Sequence, residues 1–393
     1  MNPSLYVGCA DWTSAEFMSV AGSLLRGELT SGGNGERLRH AFESRYRFTA
    51  AFPVNSGRTA ITLILNALRE RAPGRHSVVI PAYTCPSLPQ AVEASGLRPI
   101  GVDIGDDLNI SPAAMAAAFD ADTLAVVAPH MYGCAAPIAE IETLCRSGGI
   151  FLIDDAAQVV GVTAGGRQLG SFGDFGIVSF AQSKAVVAGL SGAGGMLLVN
   201  DGALVADIAP VVSGLPRPSK RFRAYAQFAG EYLLDPVSRD LSYYFLRVMK
   251  AIGLVSNSSP LMPARISNFE AGIALQQLDR LPAVMAEKIR VAALYAKHLD
   301  AAPGFAFPQF AAGRFLSRFM LRAPAGKSAV RLRDELKARN IHTRCGYPAF
   351  ASGSRQIPNA LAASVELIEA PFHRGMDEAS IRHFCATLAQ VTP

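Results

Sequence analysis

From about residue 55 to 200 the chain alternates short, β-branched-rich apolar runs with stretches of helical periodicity, and no other feature narrows its fold so far. The runs are Val78 to Ile80, Pro99 to Asp103, Leu124 to Pro129, Ile150 to Asp154, Gly176 to Phe180 and Met196 to Val199. Strands that alternate with helices pair side by side in one direction, so the pattern predicts an α/β fold with a mainly parallel sheet covered by helices. In an open sheet of this kind the ligand sits beyond the carboxyl ends of the strands. The residues just after these runs are therefore where chemistry is to be sought.

Residues 202–262 break the rhythm with a Pro/Ser/Arg-rich stretch (SGLPRPSKRFR) and an aromatic, partly amphipathic segment that reads as largely helical. From Asn268 a long helical pattern follows, which Pro282 is expected to kink or restart. Residues 318–390 offer a strand (RFMLRA), a helix (VRLRDELKARN), an extended stretch and a final helix (DEASIRHFCATLAQ), the outline of a small α/β domain. The division expected is 1–262 for a large domain and 263–393 for a connecting helix with a smaller C-terminal domain. At roughly 150 residues per domain, 393 residues agree with that count.

Half the residues are hydrophobic and 18% are charged, which excludes a disordered chain, a coiled coil or a nucleic-acid-binding tail. The net charge of +5 suits an anionic ligand and is too small to argue for nucleic acid. Six scattered cysteines (Cys9, Cys85, Cys134, Cys145, Cys345 and Cys385) form no CxxC pair and no Cys/His cluster at metal spacing. No metal is expected, and the thiols read as reduced ones of a cytoplasmic protein. The beginning MNPSLYVGCADWTSAEF lacks a basic region followed by an apolar core, and no apolar run reaches membrane-spanning length, so neither export nor a membrane span is expected.

Three segments carry candidate chemistry. In NSGRTAI, Asn55 to Ile61, a Ser-Gly turn enters a helix whose free N–H groups suit a phosphate, with Gly57 permitting close approach. The same residues also make an ordinary helix cap. FLIDDAAQ is an apolar strand ending in Asp154 and Asp155, with Gln158 a short turn on. Alternation sends the two carboxylates opposite ways, so one of them can face a site, where burial demands a cation or several donors. The alternative there is again a helix cap. In SFGDFGIVSFAQSKAVVAGLSGAGGMLLVND, Ser179 and Lys184 follow a strand, and Lys184 lies in a stretch without other charge, where burial would depress its pKa and leave a nucleophilic amine. A Walker-type loop is excluded, because the lysine precedes the glycines. A phosphate turn, a strand-end carboxylate and a buried lysine on one sheet are what pyridoxal phosphate requires, with Lys184 as its covalent anchor.

NSGRTAI, PAYTCPSLPQAVEASGLRPIGVDI, PHMYG, IDDAAQVVG, GSFGDFGIVSFAQSK, GAGGMLLVND and NFEAGIALQQLDRL together resemble successive motifs of the DegT/DnrJ/EryC1/StrS sugar aminotransferases. The resemblance covers most of residues 50–300. It implies the fold type I architecture of pyridoxal-phosphate enzymes, a homodimer with shared active sites, and transfer of an amino group, usually from glutamate, to a keto sugar carried on a nucleotide. By motif, Lys184 falls on the Schiff-base lysine, Asp155 on the partner of the pyridine nitrogen, and Gln158 on a residue near the phenolic oxygen. Ser179 and the N–H groups of Arg58 and Thr59 fall on the phosphate cradle. Lysine rather than histidine at 184 implies transamination rather than dehydration.

Two positions depart from the family pattern. Cys85 stands where an aromatic ring commonly stacks on the cofactor, and Pro263, Ala264 and Arg265 stand where Asn-x-Arg is usual. Residues 202–262 also exceed their usual family counterpart. His130, Tyr83 and Arg265 are further candidates for substrate contact, the first two with structural roles as alternatives. Arg217, Lys220, Arg221 and Arg223 would suit a diphosphate or an acidic surface, or form a solvated loop. The competing functions are elimination or amination of a non-sugar ketone on the same cofactor, and a non-catalytic cofactor-binding regulator.

Overall fold

The computed structural model describes residues 4–8, 12–189, 193–218, 222–234, 239–251, 262–299 and 302–391. Cys9, Lys220 and Arg221 lie outside the described residues, as does the side chain of Arg223. A central seven-stranded sheet is built from β1 (Ala50–Val54), β2 (Ser77–Pro81), β3 (Arg98–Val102), β4 (Thr123–Pro129), β5 (Phe151–Asp155), β6 (Phe175–Ser179) and β7 (Gly195–Val199). Their order across the sheet is β1-β7-β6-β5-β4-β2-β3. Strands β3, β2, β4, β5 and β6 pair in parallel, while β7 runs antiparallel to both β6 and β1. The mainly parallel sheet expected from the sequence is present.

Alternation along the strands feeds two cores. Val79, Val126, Leu152, Val178 and Leu198 face one layer, and Val78, Val127, Ile153, Ile177 and Leu197 face the other. The first layer is closed by α1 (Ser14–Leu25), α2 (Asn34–Tyr46) and part of a later long helix. The second is closed by α3 (Gly57–Arg71) through Ile61, Ile64, Leu65 and Leu68. Burial on both faces makes these strands continuous apolar runs. Strand β1 escaped the sequence reading because it is a half-buried edge strand containing Pro53, which only an edge tolerates.

The atypical stretch after β7 is helical at Val205–Ser213, Phe222–Leu234 and Arg239–Ala251. The long helix Asn268–His298 then runs unbroken through Pro282, so the expected restart is absent. Its two halves are clamped by different cores, which holds the helix where proline removes one N–H. Phe269, Ile273, Leu278 and Leu281 enter the first core of the sheet, and Val291, Ala292, Tyr295 and Leu299 enter a C-terminal core. That C-terminal core also takes in Leu5, which bridges to Ile341. Its sheet is antiparallel, Met320–Arg322 and Arg344–Cys345 flanking Leu367–Glu369, backed by helices Ala329–Lys337, Pro358–Glu366 and Glu378–Gln390. Among the described residues no helix is long and apolar enough to cross a membrane.

Candidate active site

The site assembles where the carboxyl ends of β5 and β6 meet the N-terminus of α3. Ser56 caps α3, its Oγ accepting the Thr59 N–H at 3.0 Å. Thr59 Oγ1 donates to Asn55 Oδ1 at 2.6 Å, and Asn55 Nδ2 donates to the Met262 carbonyl at 2.8 Å. The expected use of the Thr59 amide for phosphate is therefore corrected, since the cap already occupies it. Gly57 and Arg58 keep first-turn N–H groups that no helical carbonyl reaches. A Cβ on Gly57 would sit 3.0 Å from Ser179 Cβ, so glycine lets the helix end close on the Ser179 hydroxyl.

The two adjacent aspartates diverge as strand alternation requires. Asp154 is fully buried: Oδ1 lies 2.6 Å from His130 Nε2, and Oδ2 accepts the N–H groups of Gly170 at 2.6 Å and Phe172 at 3.0 Å. His130 Nδ1 accepts the Ala136 N–H at 3.0 Å, so the ring proton is on Nε2 and is donated to Asp154. With both nitrogens engaged and no exposed surface, His130 does not offer the substrate contact expected of it.

Asp155 and Lys184 act on each other through their charges. Asp155 Oδ1 accepts the Ala157 N–H at 3.0 Å. Burial pushes its pKa up, with Asp154 adding to the rise, while Lys184, that hydrogen bond and His130 pull it down. Lys184 is half-buried in the turn beyond β6 and follows Ser183, whose φ of 66° is left-handed. Burial lowers the Lys184 pKa and Arg318 lowers it further, against the opposite pull of Cys85 and Asp155.

Gln158 and Cys85 border the same region. Gln158 is 5% exposed, its Oε1 accepting from Ser317 Oγ at 3.3 Å and its Nε2 meeting Met131 Sδ at 3.7 Å. Cys85 Sγ lies 3.1 Å from Ser87 Oγ. Tyr83 is fully buried, its hydroxyl 2.8 Å from that of Tyr132 and accepting the Tyr347 N–H at 3.2 Å. Burial pushes its pKa up to about 12, and it packs in a core with Met131, Met320 and Leu367. Arg265 stands apart: exposed, bonded to the Ser213 carbonyl, it borders a separate cavity of about 940 Å³ with Arg39, Glu43 and Arg217.

Arg318, Tyr132 and Tyr347 were not found by sequence reasoning. Arg318 sits at the head of an apolar run that reads only as a strand, and Tyr347 lies in an unremarkable Gly-Tyr-Pro turn. The guanidinium carbon of Arg318 lies 5.6 Å from the centre of the Tyr132 ring and 5.5 Å from that of Tyr347.

A sequence profile of the DegT/DnrJ/EryC1/StrS aminotransferase family matches residues 11–389. The chain is 31% identical over 275 residues to protein MosB of Rhizobium meliloti, covering 68% of this chain and 49% of that one. It is 26% identical over 359 residues to a GDP-perosamine synthase of Caulobacter vibrioides, covering 87% and 85%. The chain spans 49%, 40% and 45% of the first three curated relatives it matches, about half their length or less. Among solved structures it resembles Helicobacter pylori PseC, an aminotransferase involved in the biosynthesis of pseudoaminic acid, with a TM-score of 0.81 at 15% identity over 99% of both chains. At that identity the likeness establishes the fold alone.

Proposed function

The chain belongs to the DegT/DnrJ/EryC1/StrS aminotransferase family, and on that premise we propose that it moves an amino group from glutamate to a keto sugar carried on a nucleotide, using pyridoxal phosphate. The observation that carries this reading is a buried carboxylate at the end of β5, Asp155, together with an amine in the turn beyond β6, Lys184, whose charge acts on it and which burial biases toward its neutral form. Those residues fit the cofactor. Asp155 would hold its ring nitrogen protonated, Gln158 would border its phenolic oxygen, and Ser179 with the amides of Gly57 and Arg58 would hold its phosphate. When bound, pyridoxal phosphate supplies an aldehyde for the donor amine and a ring that withdraws electron density from the reacting carbon.

Lys184 would hold the cofactor covalently at rest, and once the donor amine has displaced it, its freed Nζ would take the donor's α-proton and later return a proton to the acceptor. A protonated ring nitrogen set against Asp155 would favour its ionised form, in opposition to the burial that raises its pKa. Asp154 and His130 lie behind it and fix the end of β5. The reading extends to a cytoplasmic homodimer with shared sites, to which Arg265 contributes from its exposed position, acting in surface-polysaccharide or secondary-metabolite synthesis. The test is transfer of ¹⁵N from labelled glutamate across a panel of nucleotide-linked keto sugars. Label in an amino sugar supports the proposal. Label only in non-sugar ketones assigns a different acceptor, and no transfer by protein carrying the cofactor refutes it.

A further inference from the structure

Val187, three residues beyond Lys184, has both backbone polar groups taken by side chains from distant parts of the chain. Its carbonyl accepts the Trp12 indole N–H at 2.8 Å, and its N–H donates to Gln277 Oε1 at 3.3 Å. Val187 lies outside the strands, where a buried backbone group finds no ladder partner and must be met by other means. The apolar side chains of this turn, Ala185, Val186 and Ala188, are buried in the first core of the sheet, but burial has no direction. Hydrogen bonds do, and these two fix how the backbone beyond Lys184 is turned. Lys184 thus lies between Ser183, held at a left-handed φ of 66°, and a residue gripped at both its N–H and its carbonyl.

Both grips trace to one fully buried carboxylate, Glu16. Its Oε2 accepts the Thr13 N–H at 2.8 Å and the Thr13 hydroxyl at 2.5 Å, which holds the residue next to Trp12 at the start of α1. Its Oε1 accepts Gln277 Nε2 at 3.0 Å and Arg280 Nε at 3.1 Å. A carboxylate takes only donors, so this contact turns the Gln277 amide with its oxygen toward Val187. Burial pushes the Glu16 pKa up, but the bonds from Thr13 and Arg280 outweigh it and keep the carboxyl below its ordinary range. The indole is held on another side by Phe228, ring centres 4.6 Å apart at 51°. Phe228 belongs to the helix Phe222–Leu234, in the stretch that breaks the strand–helix rhythm of the chain.

The geometry points to Trp12 and Gln277 as positioning residues that hold Lys184 in place through Val187, with Glu16 setting both. This inference rests on the proposed role of Lys184. An amine that serves in turn as anchor, base and acid must return to one place at each step, and a misplacement of about 1 Å can cost roughly 100-fold in rate. The turn has no charge of its own besides Lys184, so its orientation is supplied from outside, by α1 and by the long helix Asn268–His298.

Trp12→Phe keeps a ring against Phe228 and removes the donor. In the holoenzyme of this variant, the limiting rate at which glutamate discharges the visible absorbance of the cofactor should fall on the order of 10-fold, with the half-maximal glutamate concentration within about twofold of wild type. The visible circular dichroism of the bound cofactor should weaken, and amide exchange in residues 184–189 should quicken about 10-fold. Gln277→Met, which removes the bond to the Val187 N–H, should move the same readings and carries the test should Trp12→Phe fail to fold. Ile381→Val, a loss of packing in the C-terminal core, should lower the melting temperature and move none of them. Unchanged dichroism and discharge rate in folded Trp12→Phe overturn the inference. So does a higher half-maximal concentration at an unchanged limiting rate, which would assign the network to donor binding instead of to Lys184. If glutamate does not discharge the wild type, the transamination reading falls, while dichroism and exchange, which need no donor, still decide the positioning.

Discussion

Asp154→Asn and Asp155→Asn change neighbouring residues by the same atoms, and the structure assigns them opposite consequences. Asp154 accepts three N–H groups, two on Oδ2 and one, from His130, on Oδ1. Asparagine has one acceptor oxygen. Turned to Gly170 and Phe172, it sets its NH₂ against the Nε2–H of His130, which cannot move its proton because Nδ1 accepts from Ala136. One charge-assisted bond is lost, two are weakened, and a donor faces a donor; at about 1.5–3 kcal/mol per charged bond this costs about 3–5 kcal/mol. Asp155 has a single recorded bond, from Ala157 N–H, which asparagine keeps. Its folded pKa is raised, so the ionised form is disfavoured by folding. That penalty is absent below the ordinary carboxylate range and enters as pH rises through the raised value. Asp155→Asn should therefore unfold within about 1 kcal/mol of wild type at neutral pH and flatten this part of the pH dependence, yet lose turnover by orders of magnitude. Urea unfolding of both variants, stripped of cofactor so that binding does not enter, measures the contrast. A larger loss of stability at Asp155 than at Asp154 would refute the assignment of the two carboxylates.

Lys184→Ala should abolish the visible absorbance of bound cofactor and all turnover, and borohydride treatment followed by mass spectrometry should no longer find cofactor on the chain. Gly133→Ala should cost at least about 2 kcal/mol, because φ is +100° and a Cβ would meet Ser317 N at 2.5 Å; thermal melting reads the loss. Light scattering at assay concentration should give a dimer, and mixing inactive Lys184→Ala with inactive Arg265→Ala chains should restore part of the activity; an active monomer contradicts the shared site.

The strands were legible because burial on both faces strips them of polar residues, leaving β2, β4 and β6 as plain apolar runs. Where burial is one-sided or the element is short, the signal fades, as at β1 with Pro53 and at Arg344–Cys345. Pro282 misled because local propensity was outvoted by two cores that grip the helix on either side of it. Lys184 and Asp155 stood out as candidates because an uncharged stretch around the one and an apolar strand before the other are written in the local sequence, although Cys85, Arg318 and Asp155, whose charges act on Lys184, are distant from it in the chain. Arg318, Tyr132 and Tyr347 owe theirs to the docking of the C-terminal unit on the loop after β4, and no local pattern records that meeting. His130 failed as a substrate residue for a related reason: its partners at Asp154 and Ala136 become visible only once β4 and β5 are paired.

Lys184 lies between charges of both signs, and this gives the site a pH response with a definite sign for each neighbour. Burial is the largest influence and favours the neutral amine; the positive charge of Arg318 acts in the same direction, and Asp155 acts against it. Removing Arg318's charge should therefore raise the pH at which Lys184 loses its proton, and removing Asp155's charge should lower it. Arg318→Lys, which keeps the charge, should titrate near wild type, separating a field effect from a packing effect. The measurement is the rate at which trinitrobenzenesulfonate modifies Lys184 in cofactor-free protein as pH is varied, followed by peptide mapping. If Arg318→Gln and Asp155→Asn move the profile in the same direction, the shift reflects loosened packing around the amine, and the electrostatic account of its reactivity fails. Opposite movements would mean that the neighbouring charges set the proton affinity of the amine, Arg318 favouring its neutral form and Asp155 its protonated one.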